Sequence, residues 1–172
     1  MLTRPVMSAD APTGGVEEGA GDQLNLPQGA GWEDWQVVRN QSEHRATVKV
    51  LVRKGQAPAT AKVRIVVAQT PKPTFDTPQA VIDALLHTAD QQCQKVTSST
   101  VSKTAEDITF EMRGFGCPGQ KGERYLLQRI AYVGPWELQV TYAPMDPIDK
   151  LPAAEKQQAL KLISSVTIAP AK

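Results

Sequence analysis

The sequence predicts an α+β fold, a mostly antiparallel sheet of about six to seven strands with a central helix and a C-terminal helix packed on it. Apolar and polar residues alternate with the period of strands on both sides of residues 77–93, whereas that segment itself has the period of a helix. Several strands follow one another directly on each side of this helix. Such runs favour an antiparallel sheet over a series of βαβ units.

The central helix is predicted over residues 77–93, TPQAVIDALLHTADQQC. Thr77 can cap its first turn, and Pro78 suits a position where no backbone N–H is needed. Its apolar residues recur at helical spacing on one face, which predicts that the helix lies across the sheet. These residues are Ile82, Leu85, Leu86, Ala89 and Cys93.

The strands before this helix begin near a tryptophan pair. Trp32 and Trp35 favour an anchor that fixes the first strand on the core, with an exposed ligand-stacking pair as the alternative. Residues 47–53 and 62–68 alternate apolar and basic side chains across a loose loop, so we expect a hairpin. Its two faces are predicted to be one apolar and one mainly basic.

The chain after the helix is predicted to form four strands, one closing helix and a short terminal strand. The first of the four is rich in Ser and Thr, which suits a sheet edge. Gly134 and Pro135 mark a tight link between the two long strands. The predicted segments are 95–103, 108–115, 123–133, 136–142, the helix 153–164 and the strand 166–168.

Charge divides the first 72 residues into two contrasting segments. Residues 1–35 have a net charge of −5 and residues 36–72 a net charge of +7, although the whole chain is at +1. Residues 1 to about 28 are small, polar or acidic and predict a disordered tether, with a lead-in at Leu24–Trp32. Residues 29–172 then form a single domain. No segment is apolar and long enough to span a membrane.

The two cysteines predict a disulfide between Cys93 and Cys117. Cys93 ends the central helix, and Cys117 lies in a glycine-rich turn that can reach that end. A bridge closing about 25 residues contributes roughly 3 kcal/mol and indicates an oxidising compartment. The alternative is a pair of buried free thiols in a cytoplasmic protein.

The opening LPQGAGW, the strand pairs, the single mid-chain helix, the four-strand meander and the C-terminal helix resemble the PsbP-like fold. Bacterial periplasmic proteins and lipoproteins of the DcrB type share that fold. The resemblance covers roughly residues 24–168 and rests on element order and the lead-in to Trp32. It implies an accessory or binding domain without catalysis.

Catalytic and metal-binding motifs are not predicted. His44 and His87 have no metal-ligand spacing with Cys, Asp or Glu, and we expect no metal and no cofactor. The glycines of residues 114–122 precede a strand, so a hairpin turn is favoured over a phosphate-binding loop.

A basic face on the predicted hairpin is the candidate partner-binding site. Anionic lipid headgroups or an acidic protein surface are the expected partners, and nucleic acid is disfavoured because no aromatic residues are interleaved. The alternative is that the acidic tether screens these charges. The site comprises Lys49, Arg53, Lys62 and Arg64, with Arg39 and Arg45 close in sequence.

These observations together predict an exported, non-catalytic binding or accessory protein, acting as an assembly factor, an inhibitor or an immunity-type protein. We expect it to be periplasmic or secreted, with a cytoplasmic location as the alternative. Two other functions stay open: a hydrolase or thiol redox enzyme whose site is not visible in the sequence, and a carrier of lipid or a small ligand between sheet and helix.

Overall fold

The structure is a computed structural model that describes residues 22–170 of the chain. The described residues form strands, two α-helices and two short 3-10 turns, Trp32–Asp34 and Pro58–Thr60. In chain order the elements are β1 (Gln23–Asn25), β2 (Trp35–Glu43), β3 (Ala46–Arg53), β4 (Val63–Pro71), α1 (Pro78–Gln92), β5 (Lys95–Lys103), β6 (Asp107–Phe115), β7 (Glu123–Val133), β8 (Trp136–Pro144), α2 (Ala153–Ser165) and β9 (Thr167–Ala169).

Seven strands form one antiparallel sheet in the order β2-β3-β4-β8-β7-β6-β5. The centre of this sheet joins β4 to β8, which come from the two sides of α1 in sequence. β1 and β9 form a separate two-stranded antiparallel sheet. The predicted α+β class is therefore confirmed, and the Ser- and Thr-rich β5 lies at a sheet edge as expected.

The two helices pack on opposite faces of the seven-stranded sheet, which we call the α1 face and the α2 face. On the α2 face, Leu162 and Ile163 belong to the same buried core as Ile65, Val67 and Leu127. Burying one such side chain contributes about 1.5–3 kcal/mol, so this core is the main source of stability. A smaller core on the α1 face comprises Val81, Ile82, Ile108, Phe110, Ile130 and Tyr132.

A buried arginine ties the end of α2 to the sheet. Arg129 Nη1 donates hydrogen bonds to the carbonyls of Ile163 and Val166, at 3.0 and 2.8 Å. Its Nε and Nη2 bind the Asp107 carboxylate at 3.0 and 2.8 Å. The carbonyls at a helix C-terminus have no partner within the helix, so Arg129 satisfies groups that burial would otherwise leave unpaired.

The central helix agrees with its prediction at both ends. The Thr77 Oγ1 accepts a hydrogen bond from the Ala80 backbone N–H at 3.2 Å, as an N-cap does.

The first two tryptophans, Trp32 and Trp35, are buried in the α2-face core. The indole N–H of Trp32 donates a hydrogen bond to Ser165 Oγ at 2.8 Å. The anchor interpretation is therefore confirmed.

The N-terminal boundary needs correction. Residues 23–25, which we assigned to the disordered tether, form β1 and pair with β9. Asp22 accepts a hydrogen bond from the Trp136 indole N–H at 3.0 Å, so ordered structure begins well before residue 29. Residues 1–21 of the predicted tether lie outside the described residues, as do residues 171–172.

Candidate binding surfaces

The register of β3 and β4 divides the predicted basic face between both sides of the sheet. Lys49 lies opposite Val67, a residue of the α2-face core, and Arg53 lies opposite Trp35. Arg64 lies opposite Ala143 with the parity of the α1 face. The prediction that these basic residues share one face is therefore wrong, because a one-residue offset in register exchanges the faces of a strand.

The other three predicted residues also separate. A bulge at Val38 shifts the pairing so that Arg39 lies opposite Val50, on the α1 face. Arg45 lies in the β2–β3 turn with its guanidinium 5.1 Å from the ring centroid of Trp136. Lys62 precedes β4 and forms an exposed ion pair with Asp146 at 3.5 Å.

The valines of β3 are instead brought together with the apolar residues of β4. Cross-strand pairing places Val50 opposite Val66 and Val48 opposite Ala68. These four residues, which we call the valine patch, are half-buried, and neither core cluster includes them. Among the described helices, α1 lies on this face but packs on β5, β6 and β7.

One flank of α1 faces β8, the strand that lies next to the valine patch. Gln79 accepts a hydrogen bond from Lys103 of the edge strand β5 at 3.0 Å, so it lies on the flank nearer that edge. Leu85 lies about 120° away around the helix axis, with the buried Ile82 midway between them. Leu85 is 39% exposed and therefore presents an apolar side chain on the flank nearer β8.

The rim of the valine patch is basic. Arg64 is half-buried, and its Nη2 donates a hydrogen bond to the Pro58 carbonyl at 3.1 Å. Arg39 is exposed on the neighbouring strand. Within residues 22–170 neither guanidinium lies at ion-pair distance from a carboxylate. The same face also presents the uncharged polar side chains of Gln128, Gln139 and Thr141.

A buried carboxylate lies under one end of this face. Glu137 is only 5% exposed, and its Oε1 accepts a hydrogen bond from Gln139 at 2.9 Å. Its Oε2 has no hydrogen-bond partner among the described residues. Burial raises the pKa of Glu137 above 4.5, although the hydrogen bond from Gln139 and the nearby Thr70 side chain act in the opposite direction.

The predicted disulfide is present and joins the end of α1 to the β6–β7 loop. Cys93 and Cys117 are bonded at 2.07 Å, and the described part of the chain contains no free cysteine. The bridge lies directly over Gly114, where an added Cβ would stand 2.8 Å from Cys117 Sγ. The cysteines therefore serve as a crosslink, and their sulfurs form part of a cleft.

That cleft, of about 320 Å³, lies between the end of α1 and strands β5, β6 and β7 on the α1 face. Arg124 is the one charged residue in its lining, and its Nη1 donates to the Met145 carbonyl at 2.8 Å. The apolar part of the lining is formed by Ala89, Val96, Met112, Leu126 and the disulfide.

Two polar clefts lie beside the β2–β3 hairpin on the α2 face of the sheet. Lys49 lines a cleft of about 260 Å³, and His44 lines one of about 310 Å³. His44 is highly exposed, and its Nε2 lies 3.1 Å from Glu43 Oε1. Ser42, in the same clefts, shares a hydrogen bond with Thr47 at 3.2 Å. Among residues 22–170 no cluster of His, Cys, Asp or Glu could hold a metal ion, and no helix is long and apolar enough to cross a membrane.

Comparison with known proteins finds a likeness to solved structures alone. No protein-family model matches the chain, and no curated protein matches it. Its fold is similar to a solved structure described as LpqN, involved in cell envelope biogenesis, of Mycobacterium tuberculosis. The chains are 15% identical, the likeness covers 87% of this chain and 84% of that chain, and the TM-score is 0.48. Membership of the PsbP-like group stays a prediction.

Proposed function

We propose that this chain is an exported, non-catalytic binding protein that docks an acidic protein surface on the valine patch. The observation that carries the proposal is the pairing of Val50 with Val66 on β3 and β4, outside the strands on which α1 packs. The patch forms an apolar centre, and Arg39 and Arg64 form a basic rim. An apolar centre within a polar rim, with arginine enriched, is typical of protein interfaces.

The charges support an acidic partner. Because neither Arg39 nor Arg64 has a carboxylate partner among the described residues, an acidic surface can pair with both without breaking an existing ion pair. Complementary charge of this kind raises association rates and selects among partners.

The polar side chains on the same face favour a protein over lipid. The amides of Gln128 and Gln139 can hydrogen-bond to a protein partner, whereas burying them in hydrocarbon would leave them unpaired at a cost of about 2–7 kcal/mol. An anionic membrane is therefore the alternative outcome of the test below.

The disulfide supports a location outside the cytoplasm. Cysteine pairs of this kind persist in oxidising compartments and are rare in the cytosol, where thiols are kept reduced. A docking protein that is crosslinked by a disulfide suits the periplasm or the exterior of the cell.

Site-specific photocrosslinking in the organism that produces the protein tests the docking surface. A benzophenone amino acid replaces Val66 in the patch and, as a matched control, Val37, which is 47% exposed on the α2 face. We expect a discrete protein adduct from position 66 and not from position 37, with an acidic surface on the captured protein.

Three results would overturn the proposal. Adducts of equal yield from both positions, or adducts from position 37 only, would place binding elsewhere. Lipid adducts at position 66, together with sedimentation on phosphatidylglycerol vesicles, would replace the protein partner by a membrane.

A further inference from the structure

We infer that the cleft beside the Cys93–Cys117 disulfide is a binding site for a small amphipathic carboxylate, such as a medium-chain fatty acid. The cleft lies on the α1 face but at the opposite end of α1 from its N-terminal turn, and it shares no lining residue with the valine patch. This inference is therefore independent of the proposed docking function.

The size and walls of the cleft suit a short apolar chain. Its volume of about 320 Å³ lies at the lower end of the range for small-ligand pockets, roughly 300–1,000 Å³. Side chains from three strands form the apolar floor, since Met112 pairs with Leu126 and Val96 pairs with Gly114 on this face. Such pockets typically combine apolar walls with few polar groups that orient the ligand.

Arg124 determines the charge of the ligand. A guanidinium has five N–H donors, and the described residues satisfy Arg124 only through the Met145 carbonyl. No described carboxylate lies at ion-pair distance from it. A ligand carboxylate can therefore accept charge-assisted hydrogen bonds from the remaining donors, the strongest type that this lining offers.

The helix end and the disulfide fix the orientation. Ala89 and Gln92 contribute the C-terminal turn of α1, whose carbonyls carry partial negative charge and repel an anion. The carboxylate consequently lies at Arg124, and the apolar chain extends toward the sulfurs and Val96. The disulfide is one wall of the site as well as a crosslink.

Binding of three matched ligands to the unaltered protein tests the inference. Sodium octanoate, octanol and octylammonium differ in charge and share one chain, so their affinities separate the contribution of Arg124 from that of the apolar walls. We expect octanoate to bind about tenfold more tightly than octanol, and octylammonium to bind least, in calorimetric or NMR titration. In the NMR titration, the methyl resonances of Val96 and Leu126 should change position, and those of Val67 in the α2-face core should not.

Arg124→Gln, compared with Lys121→Gln in the adjacent β6–β7 loop, provides the matched variants. The first should lower octanoate affinity to that of octanol, and the second should leave it unchanged, because Lys121 is exposed and outside the lining. Absence of saturable octanoate binding to the unaltered protein overturns the site. Equal affinities for octanoate and octanol, or shifts confined to other surfaces, overturn the assigned ligand class or position.

Discussion

Val50 and Val66 lie directly opposite each other on β3 and β4, on the side of the sheet where α1 covers only the far strands. In a sheet whose strands are covered by helices on both faces, such a pair would be buried. Here they are half-buried, whereas their sequence neighbours Leu51 and Val67 are almost completely buried on the other face. One hairpin thus supplies both core and surface by strand alternation alone.

The difference between the two faces predicts unequal costs for the same substitution at adjacent positions. Val67→Thr places a hydroxyl in the α2-face core and should lower the free energy of unfolding by about 1–3 kcal/mol. Val66→Thr should change it by less than about 0.5 kcal/mol, because solvent reaches the new hydroxyl. Urea unfolding of both variants measures the contrast, and equal losses would mean that Val66 is covered.

The buried Glu137 carboxylate predicts a free energy of unfolding that depends on pH. Its pKa is raised by burial, so the folded state binds its proton more tightly than the unfolded state does. Stability therefore falls as pH rises from about 4.5 through the raised pKa, and the penalty is complete above it. Glu137→Gln should raise the Tm at pH 8 and have little effect near pH 4. Glu123→Gln, at an exposed strand end, is the control for the loss of one carboxylate.

Glu111 should have the opposite dependence. Burial by itself raises the pKa of Glu111, but hydrogen bonds from Tyr125 and Lys156 and the charges of Lys156 and Arg113 lower it below 4.5. Its stabilising contribution is therefore present above about 4.5 and is lost as pH falls through the lowered pKa.

Removing the Glu111 charge should consequently destabilise the protein at neutral pH. Glu111→Gln weakens the contacts to Tyr125 Oη at 2.5 Å and Lys156 Nζ at 3.1 Å, at an expected cost of about 1–3 kcal/mol. Lys156→Gln should cost less because the Tyr125 bond remains. Unfolding free energies that fall equally at pH 7 and pH 3 would contradict the ionic origin of the effect.

The contact between Gly114 and the disulfide predicts energetic coupling. Gly114→Ala forces Cβ against Cys117 Sγ and should cost about 1–3 kcal/mol while the bridge is intact. In a Cys93→Ala/Cys117→Ala background the sulfurs are absent, so the same substitution should cost clearly less. A thermal-unfolding double-mutant cycle measures this difference, and additive losses would show that the bridge is not the obstacle.

The boundaries of the central helix could be predicted because local pattern determines them. Thr77, Pro78 and the apolar spacing that follows predicted α1 to within a residue, and both cysteines were correctly paired. The basic face could not be predicted, because it depends on register. Pairing Val66 with Val50, in place of Ile65 with Val50, exchanges the face of every residue on one strand.

The valine patch and the cleft beside the disulfide depend on long-range contacts that a single sequence does not specify. The bulge at Val38 carries no glycine and yet moves Arg39 to the face of the valine patch. The cleft combines Arg124 with Met112 and Cys93, which belong to three separate elements. Met112 lies in the predicted strand 108–115, but no local pattern distinguished Arg124.

Affinity for the partner captured at Val66 is the measurement that tests the docking surface most directly. Arg39→Glu/Arg64→Glu reverses the two positive charges at the rim of the valine patch on the α1 face. Lys49→Glu/Arg53→Glu reverses two positive charges of β3 on the α2 face and is the matched control. Losing the contact between Arg53 and the Trp35 ring, now 4.8 Å, should lower the Tm of the second variant without affecting binding. We predict that the first variant loses affinity by about tenfold or more and that the second binds like the parent protein. Equal losses in both variants, or undiminished binding by the first, would contradict the account.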